Sequence, residues 1–354
     1  MKFKIMFLWS SLSSYLAQTI SSLDTEQFEI SIIYKNEMQD DNIREIFPNL
    51  KNFALYNYSS FSQEELVQFE KNFEPSLLIV GGWQDPKYRS VLKNSKALRV
   101  LAMDNFYRGT IKQKFGIATS RIYLHRIFDC AFVAGTAQFK FAEMLGFIPD
   151  RIFVGIYCTS PGDFNPQKDL IERKHSGNSP FLFVGRLVKE KGIHTLLKGY
   201  DMYRQLSLNP RDLQIYGVGD LDCVTRGKEG VHSLGFASFE EIGDIYQKAI
   251  ALVLPSEKEQ FGMVVVEACQ YALPIVLSKN VGSSVDLLEE YHNGFSFESG
   301  DFESLANCLI RFDYMIFEQY WSFANVSYNL GMKFTPEKFI ESIWSMIALR
   351  KTII

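Results

Sequence analysis

The stretch "IALVLPSEKEQFGMVVVEACQYA", residues 250–272, runs from an apolar segment ending at Ser256, through a charged loop, into a helical pattern that opens at Phe261-Gly262. A short continuous apolar run reads as a strand covered on both faces. A strand leading straight into a helix is the repeating unit of a parallel sheet with right-handed crossovers. Two acids mark this unit, Glu259 in the loop and Glu267 two turns into the helix. The unpaired amides and positive dipole end of such a helix make a seat for an anion, and Gly262 lets the backbone approach it closely.

The same rhythm runs outward in both directions. "KIMFLWS" (4–10), "ISIIYKN" (30–36), "SLLIVGG" (76–82), "RVLAMDN" (99–105) and "CAFVAG" (130–135) read as buried strands in the first half. "FLFVGRL" (181–187), "LQIYGVG" (213–219), "IALVLPS" (250–256) and "PIVLSKN" (274–280) repeat the pattern in the second. After the first of these, Ile193, Leu196, Leu197, Tyr200, Tyr203 and Leu206 recur at helical spacing and predict one apolar helix stripe. Alternating strands and helices imply an α/β chain, and 354 residues suit two doubly wound Rossmann-like domains facing across a cleft at the carboxyl ends of their sheets. The Pro-, Gly- and Ser-rich stretch at 161–180 reads as a linker. It divides a first domain, 1–160, from a second, 181–315, and residues 316–354 read as C-terminal helices that pack back across the domains.

Composition excludes several functions. A net charge of -4 argues against general nucleic-acid binding. Cys130, Cys158, Cys223, Cys269 and Cys308 form no CxxC pair, so neither a zinc site nor a disulfide framework is expected, and the compartment reads as reducing, hence cytoplasmic. The opening "MKFKIMFLWSSLSSYLAQTI" reads as a first buried strand rather than a signal peptide, and no stretch of eighteen apolar residues is present.

Carboxylates beside a bound phosphate repel it unless cations intervene. Arg186 and Lys191 in "GRLVKEKG" (185–192) start at a strand end on the same cleft edge and can supply that charge. Glu259 and Glu267 can then accept hydrogen bonds from hydroxyls on either side of the anion. Hydroxyls, diphosphate and hydroxyls again describe a nucleotide sugar. "GDLD" (219–222) imitates a D-x-D metal motif, but its position after a second-domain strand makes it a turn, so no metal and no other cofactor is expected. His125 in "SRIYLHRIF" reads as an ordinary helix residue.

In order, "FVGRLVKEKG", "YGVGD", "VHSLGF" and "PSEKEQFGMVVVEACQYALPIVLS" resemble the retaining GT-B glycosyltransferases of the glycogen-synthase-like group 4 superfamily, densely over about 181–300. The resemblance implies donor-diphosphate binding by Arg186 and Lys191 beside Gly185, ribose binding by Glu267, and donor-sugar binding by Glu259. It implies backbone amides from Gly262, Met263 and Val264 on the phosphate or sugar, and a base near Leu234, Gly235 and Phe236. Two departures fall on the acceptor side. "WSSLSSY" (9–15) stands where many members have a Gly-Gly loop, and "LAMDNFYRG" (101–109) where many have a histidine, leaving Asp104, Asn105 and Ser11 as acceptor-side candidates.

Between Pro86 and Phe128 the only acid is Asp104, against Lys87, Arg89, Lys93, Lys96, Arg99, Arg108, Lys112, Lys114, Arg121 and Arg126. With Phe106, Tyr107, Phe115 and Tyr123 interleaved, this region suits an anionic membrane surface or a lipid-linked acceptor. The expected activity is metal-independent, retaining transfer from a nucleotide-diphosphate sugar to a glycan or lipid-linked hydroxyl, in cell-surface polysaccharide or glycoconjugate synthesis. The alternatives are a nucleotide-sugar epimerase on the same fold and a non-catalytic nucleotide-sugar-binding subunit.

Overall fold

The computed structural model describes residues 2–37, 48–82, 84–238 and 240–353. The chain divides into two compact units, Met1–Thr159 with Phe334–Ile354, and Ser160–Lys333.

The first unit is built on seven strands: β1 (Phe3–Leu12), β2 (Phe28–Glu37), β3 (Ala54–Asn57), β4 (Leu77–Val80), β5 (Leu98–Met103), β6 (Cys130–Val133) and β7 (Ile152–Val154). They pair in parallel in the order β3-β2-β1-β4-β5-β6-β7. β1 is central because its run Ile5–Leu8 is fully buried and faces apolar neighbours on both sides, Ile5 opposite Ile30 and Leu77, Phe7 opposite Ile32 and Ile79. The helix Pro86–Asn94, with proline in its first turn and Asp85 capping the amides of Lys87 and Tyr88, adds Tyr88, Val91 and Leu92 to this core. The last helix, Pro336–Ile353, belongs here too. Phe339 stacks on Phe132 at 5.6 Å, Trp344 lies 5.4 Å from Phe3, and the Ser342 hydroxyl donates to the Val154 carbonyl at 2.7 Å.

The second unit holds six parallel strands: β8 (Phe181–Val184), β9 (Leu213–Tyr216), β10 (Val231–Gly235), β11 (Ala251–Leu254), β12 (Ile275–Ser278) and β13 (Gly294–Phe297). Their order is β10-β9-β8-β11-β12-β13. The order reverses between β8 and β11, and in open parallel sheets the crevice outside the carboxyl ends of the strands at such a reversal is where ligands bind. The stripe on the helix Ile193–Leu206 is buried from Ile193 to Tyr203, but Leu206 at its end is 47% exposed.

The chain passes between units at Thr159/Ser160 and Lys333/Phe334, not at a 161–180 linker and residue 316. Residues 168–176 form a helix whose Ile171 is fully buried, and the helix Phe317–Gly331 stays with the second unit, its Gly331 lying against the backbone of Cys269 and Gln270. An apolar contact face thus outweighs the turn-forming composition that marked the stretch as a linker. The strands β3, β7, β10 and β13 are additions to those expected from sequence.

Lys174 on the helix Lys168–Ser176 is only 4% exposed, with its ammonium 3.5 Å from the Tyr246 carbonyl. Burial pushes its pKa down to about 7. A lysine depressed in the folded state carries its full burial penalty at and below pH 7. The penalty fades as pH rises from there towards the ordinary lysine value, because over that range the unfolded chain binds the extra proton. Lys174→Met is therefore expected to stabilise the protein by about 1–3 kcal/mol near neutral pH. The gain should shrink as pH is raised towards 10, as urea unfolding at several pH values would record. A variant less stable than the parent at pH 7 would contradict this account.

Candidate functional site

The loops after β8, β9, β10, β11 and β12 are laced together at the crevice by main-chain hydrogen bonds. The Gly185 amide donates to the Tyr216 carbonyl, Leu187 to Val218, and Gly217 to Gly235. Across the switch point, the amides of Glu257 and Lys258 both donate to the Glu190 carbonyl, at 2.8 and 3.1 Å, and that of Glu259 donates to Asn280. The turn Lys189–Lys191 closes on Gly192, whose φ is +71° and where a Cβ would fall 2.1 Å from the Pro255 carbonyl oxygen. Only glycine lets this turn lie against the β11 loop.

That contact brings the Lys191 ammonium onto Glu259 Oε2 as an ion pair, with side chains 17% and 13% exposed. Partial burial makes the pair stronger than a surface ion pair. Arg186, one residue past Gly185, is exposed and makes no ion pair or side-chain hydrogen bond among the described residues. The helix Met263–Gln270 begins at Gly262, which has φ +93° and lies where a Cβ would sit 3.1 Å from Glu259 Cγ. Among the described residues no side chain caps its first turn, which contains the amides of Met263 and Val264. Glu267, inside this helix, is 7% exposed, and its Oε2 accepts the Tyr246 hydroxyl at 2.8 Å. Leu234 and Phe236, 47% and 65% exposed, flank Gly235 at the end of β10.

The structure thus gathers Gly185, Arg186, Lys191, Glu259, Gly262, Met263, Val264 and Glu267 around the β8–β11 crevice, with Leu234, Gly235 and Phe236 at the end of β10. It also shows two residues that sequence reasoning passed over. Gly192 was visible as a glycine closing "KEKG". Tyr246 carried no signal, being an unremarked tyrosine in the helix Ile242–Lys248.

In the "GDLD" stretch, Asp222 pairs with Arg226 and accepts from the Ser233 hydroxyl. Among the described residues no group of three or more His, Cys, Asp or Glu side chains is arranged to hold a metal. His125 is an exposed helix residue whose ring lies 5.1 Å from Phe147.

In the first unit, Ser11 lies near the end of β1, opposite Asn36, and Asp104 and the exposed Asn105 follow β5. The Tyr157 hydroxyl is bonded to Asp104, and burial, with the Asp104 charge, pushes this phenol well above its usual range. In place of a Gly-Gly loop, β1 runs through Leu12 and Ser13 caps the next helix, accepting from the Leu16 amide. Two glycines stand instead after the neighbouring strand β4, Gly81 against the Trp9 ring and Gly82 against Ser10.

The basic stretch is more consumed than its sequence indicates. Lys87 donates to the Tyr58 and Phe61 carbonyls, Arg99 pairs with Asp129 at 2.7 Å, Arg89 meets the Tyr123 hydroxyl, and Arg108 lies over Phe106. Lys93, Lys96, Lys112, Lys114 and Arg126 are exposed, and the side chain of Arg121 lies outside the described residues. On the helix Ile111–Ile127, Ile111 and Phe115 are 85% and 73% exposed, one turn apart.

Residues 167–312 match the family model "Glycosyl transferases group 1". An uncharacterized glycosyltransferase of Methanocaldococcus jannaschii is 34% identical over 120 residues, 32% of this chain and 30% of that protein. The capsular polysaccharide biosynthesis glycosyltransferase CapM of Staphylococcus aureus is 25% identical over 152 residues, 41% and 39% of the two chains. The chain thus spans about a third of the length of the curated relatives it matches. Among solved structures, HepE of Anabaena in complex with UDP and glucose superimposes with a TM-score of 0.74 at 16% identity, over 98% of this chain and 99% of that one.

Gly192→Ala tests the crevice geometry. A Cβ there meets the Pro255 carbonyl and holds a side-chain-bearing residue at positive φ, which is expected to lower stability by about 1–3 kcal/mol in thermal or urea unfolding. An unchanged midpoint would show that the turn does not need its glycine.

Proposed function

We propose that this chain, which belongs through residues 167–312 to the group 1 glycosyl transferases and has the GT-B fold, is a retaining, metal-independent glycosyltransferase. It moves a sugar from a nucleotide-diphosphate sugar to a hydroxyl of a glycan or lipid-linked acceptor. The observation that carries this reading is the crowding of Lys191, Glu259, Arg186, Glu267 and an uncapped helix start on one strand-end edge. Arg186 and Lys191 hold the diphosphate, helped by the amides of Met263 and Val264. Glu267 takes the ribose, Glu259 the donor sugar, and the base lies at Leu234, Gly235 and Phe236. Ser11, Asp104 and Asn105 serve the acceptor. The name of CapM supports a role in cell-surface polysaccharide synthesis.

In the reaction, the acceptor oxygen bonds to the anomeric carbon on the face from which the diphosphate departs. The carbon–oxygen bond to the diphosphate breaks, and the acceptor proton passes to a phosphate oxygen. No protein nucleophile takes part. Arg186, Lys191 and the helix start stabilise the departing charge, which replaces the usual function of a divalent ion.

The test is a panel of UDP- and GDP-sugars incubated with glycan and lipid-linked acceptors in chelator, with the product anomer read by NMR. Retained configuration at full rate in chelator is the expected result. Inverted product, or activity restored only by magnesium or manganese, would overturn the mechanism. Epimerisation would appear as a new nucleotide sugar without release of nucleoside diphosphate. In the same assay Glu267→Ala should weaken donor affinity, because ribose is held alike in ground and transition states. Glu259→Ala should depress turnover, because charge develops beside it. Each effect is about ten- to a hundredfold. Wild-type constants in both variants would remove the pair from the site.

This reading sets the enzyme at the cytoplasmic face of an anionic membrane. No helix among the described residues is long and apolar enough to cross one. Ile111 and Phe115 project from the start of the helix Ile111–Ile127 beside the exposed Lys112 and Lys114, a combination of apolar insertion and charge attraction. Binding to vesicles should need anionic lipid and weaken with salt, because screening acts over about 8 Å at physiological ionic strength. Ile111→Glu with Phe115→Glu should abolish it while leaving donor binding unchanged. Equal binding to neutral vesicles, or none to anionic ones, would remove the membrane from the account.

A further inference from the structure

We infer that Tyr246 is a positioning residue for Glu267 and thereby sets the selectivity of the site for ribose over deoxyribose in the donor nucleotide. The inference rests on the reading of Glu267 as the ribose acceptor. Tyr246 is fully buried, and its hydroxyl donates to Glu267 Oε2 at 2.8 Å. A carboxylate that is 7% exposed needs hydrogen-bond donors to stay ionised. A phenol supplies one without adding charge. Engaging Oε2 also fixes the rotation of the carboxylate, whose two oxygens together offer about four acceptor sites. A carboxylate held in one rotation presents its acceptor sites in fixed directions, as recognition of two vicinal hydroxyls requires.

The phenol is itself held in place. Its ring stacks on Tyr271, with centroids 5.8 Å apart and planes 20° from parallel. Tyr271 follows the helix that carries Glu267, and its hydroxyl lies 3.5 Å from the Pro161 carbonyl. The hydroxyl also lies against Gly243, in the first turn of the Tyr246 helix, where a Cβ would come within 2.6 Å of it. The two helices are therefore locked face to face through this aromatic pair. The ribose acceptor and the residue orienting it cannot move independently.

Tyr246→Phe keeps the ring and its stacking and removes only the hydroxyl. Binding of UDP, GDP and ADP and of their 2′-deoxy forms would be measured by calorimetry in wild type and variant, with turnover at saturating donor. The wild type should prefer the ribonucleotide. In Tyr246→Phe the affinity for the ribonucleotide should fall roughly tenfold and the ribo-to-deoxy ratio should collapse towards one, with turnover little changed. Tyr271→Phe, which removes a hydroxyl from the other ring of the same stack, should keep the ratio and so controls for loosened packing. Ribonucleotide and deoxynucleotide weakening equally in Tyr246→Phe, or a ratio unchanged from wild type, would overturn the positioning role alone. Failure of the wild-type protein to bind any of the three nucleoside diphosphates would overturn the donor reading, and this inference with it.

Discussion

The candidate site depends on how closely two stretches of backbone can approach at the reversal of strand order in the second sheet. The turn after β8 lies against the loop after β11 because residue 192 has no Cβ to strike the Pro255 carbonyl, and two amides of that loop then donate to Glu190. Once this contact is made, Lys191 reaches Glu259 although 68 positions separate them in the chain. The loop after β12 is tied in the same way, through Asn280 and Gly282 on either side of Glu259. The acid is thus fixed by main chain on two sides and by charge on a third. Strand order selects the neighbours, the glycine permits contact, and the ion pair follows.

The two glutamates are neutralised by different means, and the difference matters for what each can do. Glu259 is matched by a cation, so the pair presents little net charge to an arriving diphosphate. In the proposed reading the diphosphate draws Lys191 towards itself, and Glu259 exchanges its ammonium for sugar hydroxyls. The ion pair holds the site of a charged ligand before that ligand arrives and keeps both groups from being buried alone, which would cost several kcal/mol per ion. Glu267 is instead held by a neutral phenol, which donates to Oε2. In the same proposed reading, a residue that grips an unreactive ribose needs no exchange of partners, whereas one beside the reacting carbon does.

What could be read from sequence follows from burial. The central strands β1, β4, β6, β11 and β12 were legible because both of their faces are covered, so their residues form continuous apolar runs. The edge strands were not. β3 reads "ALYN" with partly exposed side chains, β10 alternates between buried and exposed, and β7 has only three residues. At the site, the spacing of Glu259 and Glu267 around Gly262 was legible because one loop and one helix carry it. The Lys191–Glu259 contact and the Tyr246–Glu267 bond were not, because no local pattern records a meeting of residues 68 or 21 positions apart. The basic stretch misled in the opposite direction. Sequence counts charges but does not show that Arg99 is spent on Asp129 or Lys87 on main-chain carbonyls.

The acceptor-side departures become intelligible in the same terms. With Ser13 capping the helix after β1, that strand passes directly into a hydrogen-bonded helix start, so a flexible glycine pair there would weaken the cap it replaced. Gly81 and Gly82 stand after β4, which is the partner of β1 where the first sheet reverses its order. Asp104, in place of an imidazole, is met by the hydroxyl of the half-buried Tyr157, the same pairing of phenol and carboxylate that holds Glu267 in the other unit. A phenol whose pKa is raised by burial stays protonated at any physiological pH and so remains a donor. An imidazole would change its role with pH, whereas in the proposed reading a carboxylate oriented by such a phenol offers hydrogen-bond acceptor sites to an acceptor hydroxyl. An acceptor hydroxyl needs no more than that from the protein when, as proposed, its proton leaves on a phosphate oxygen of the donor.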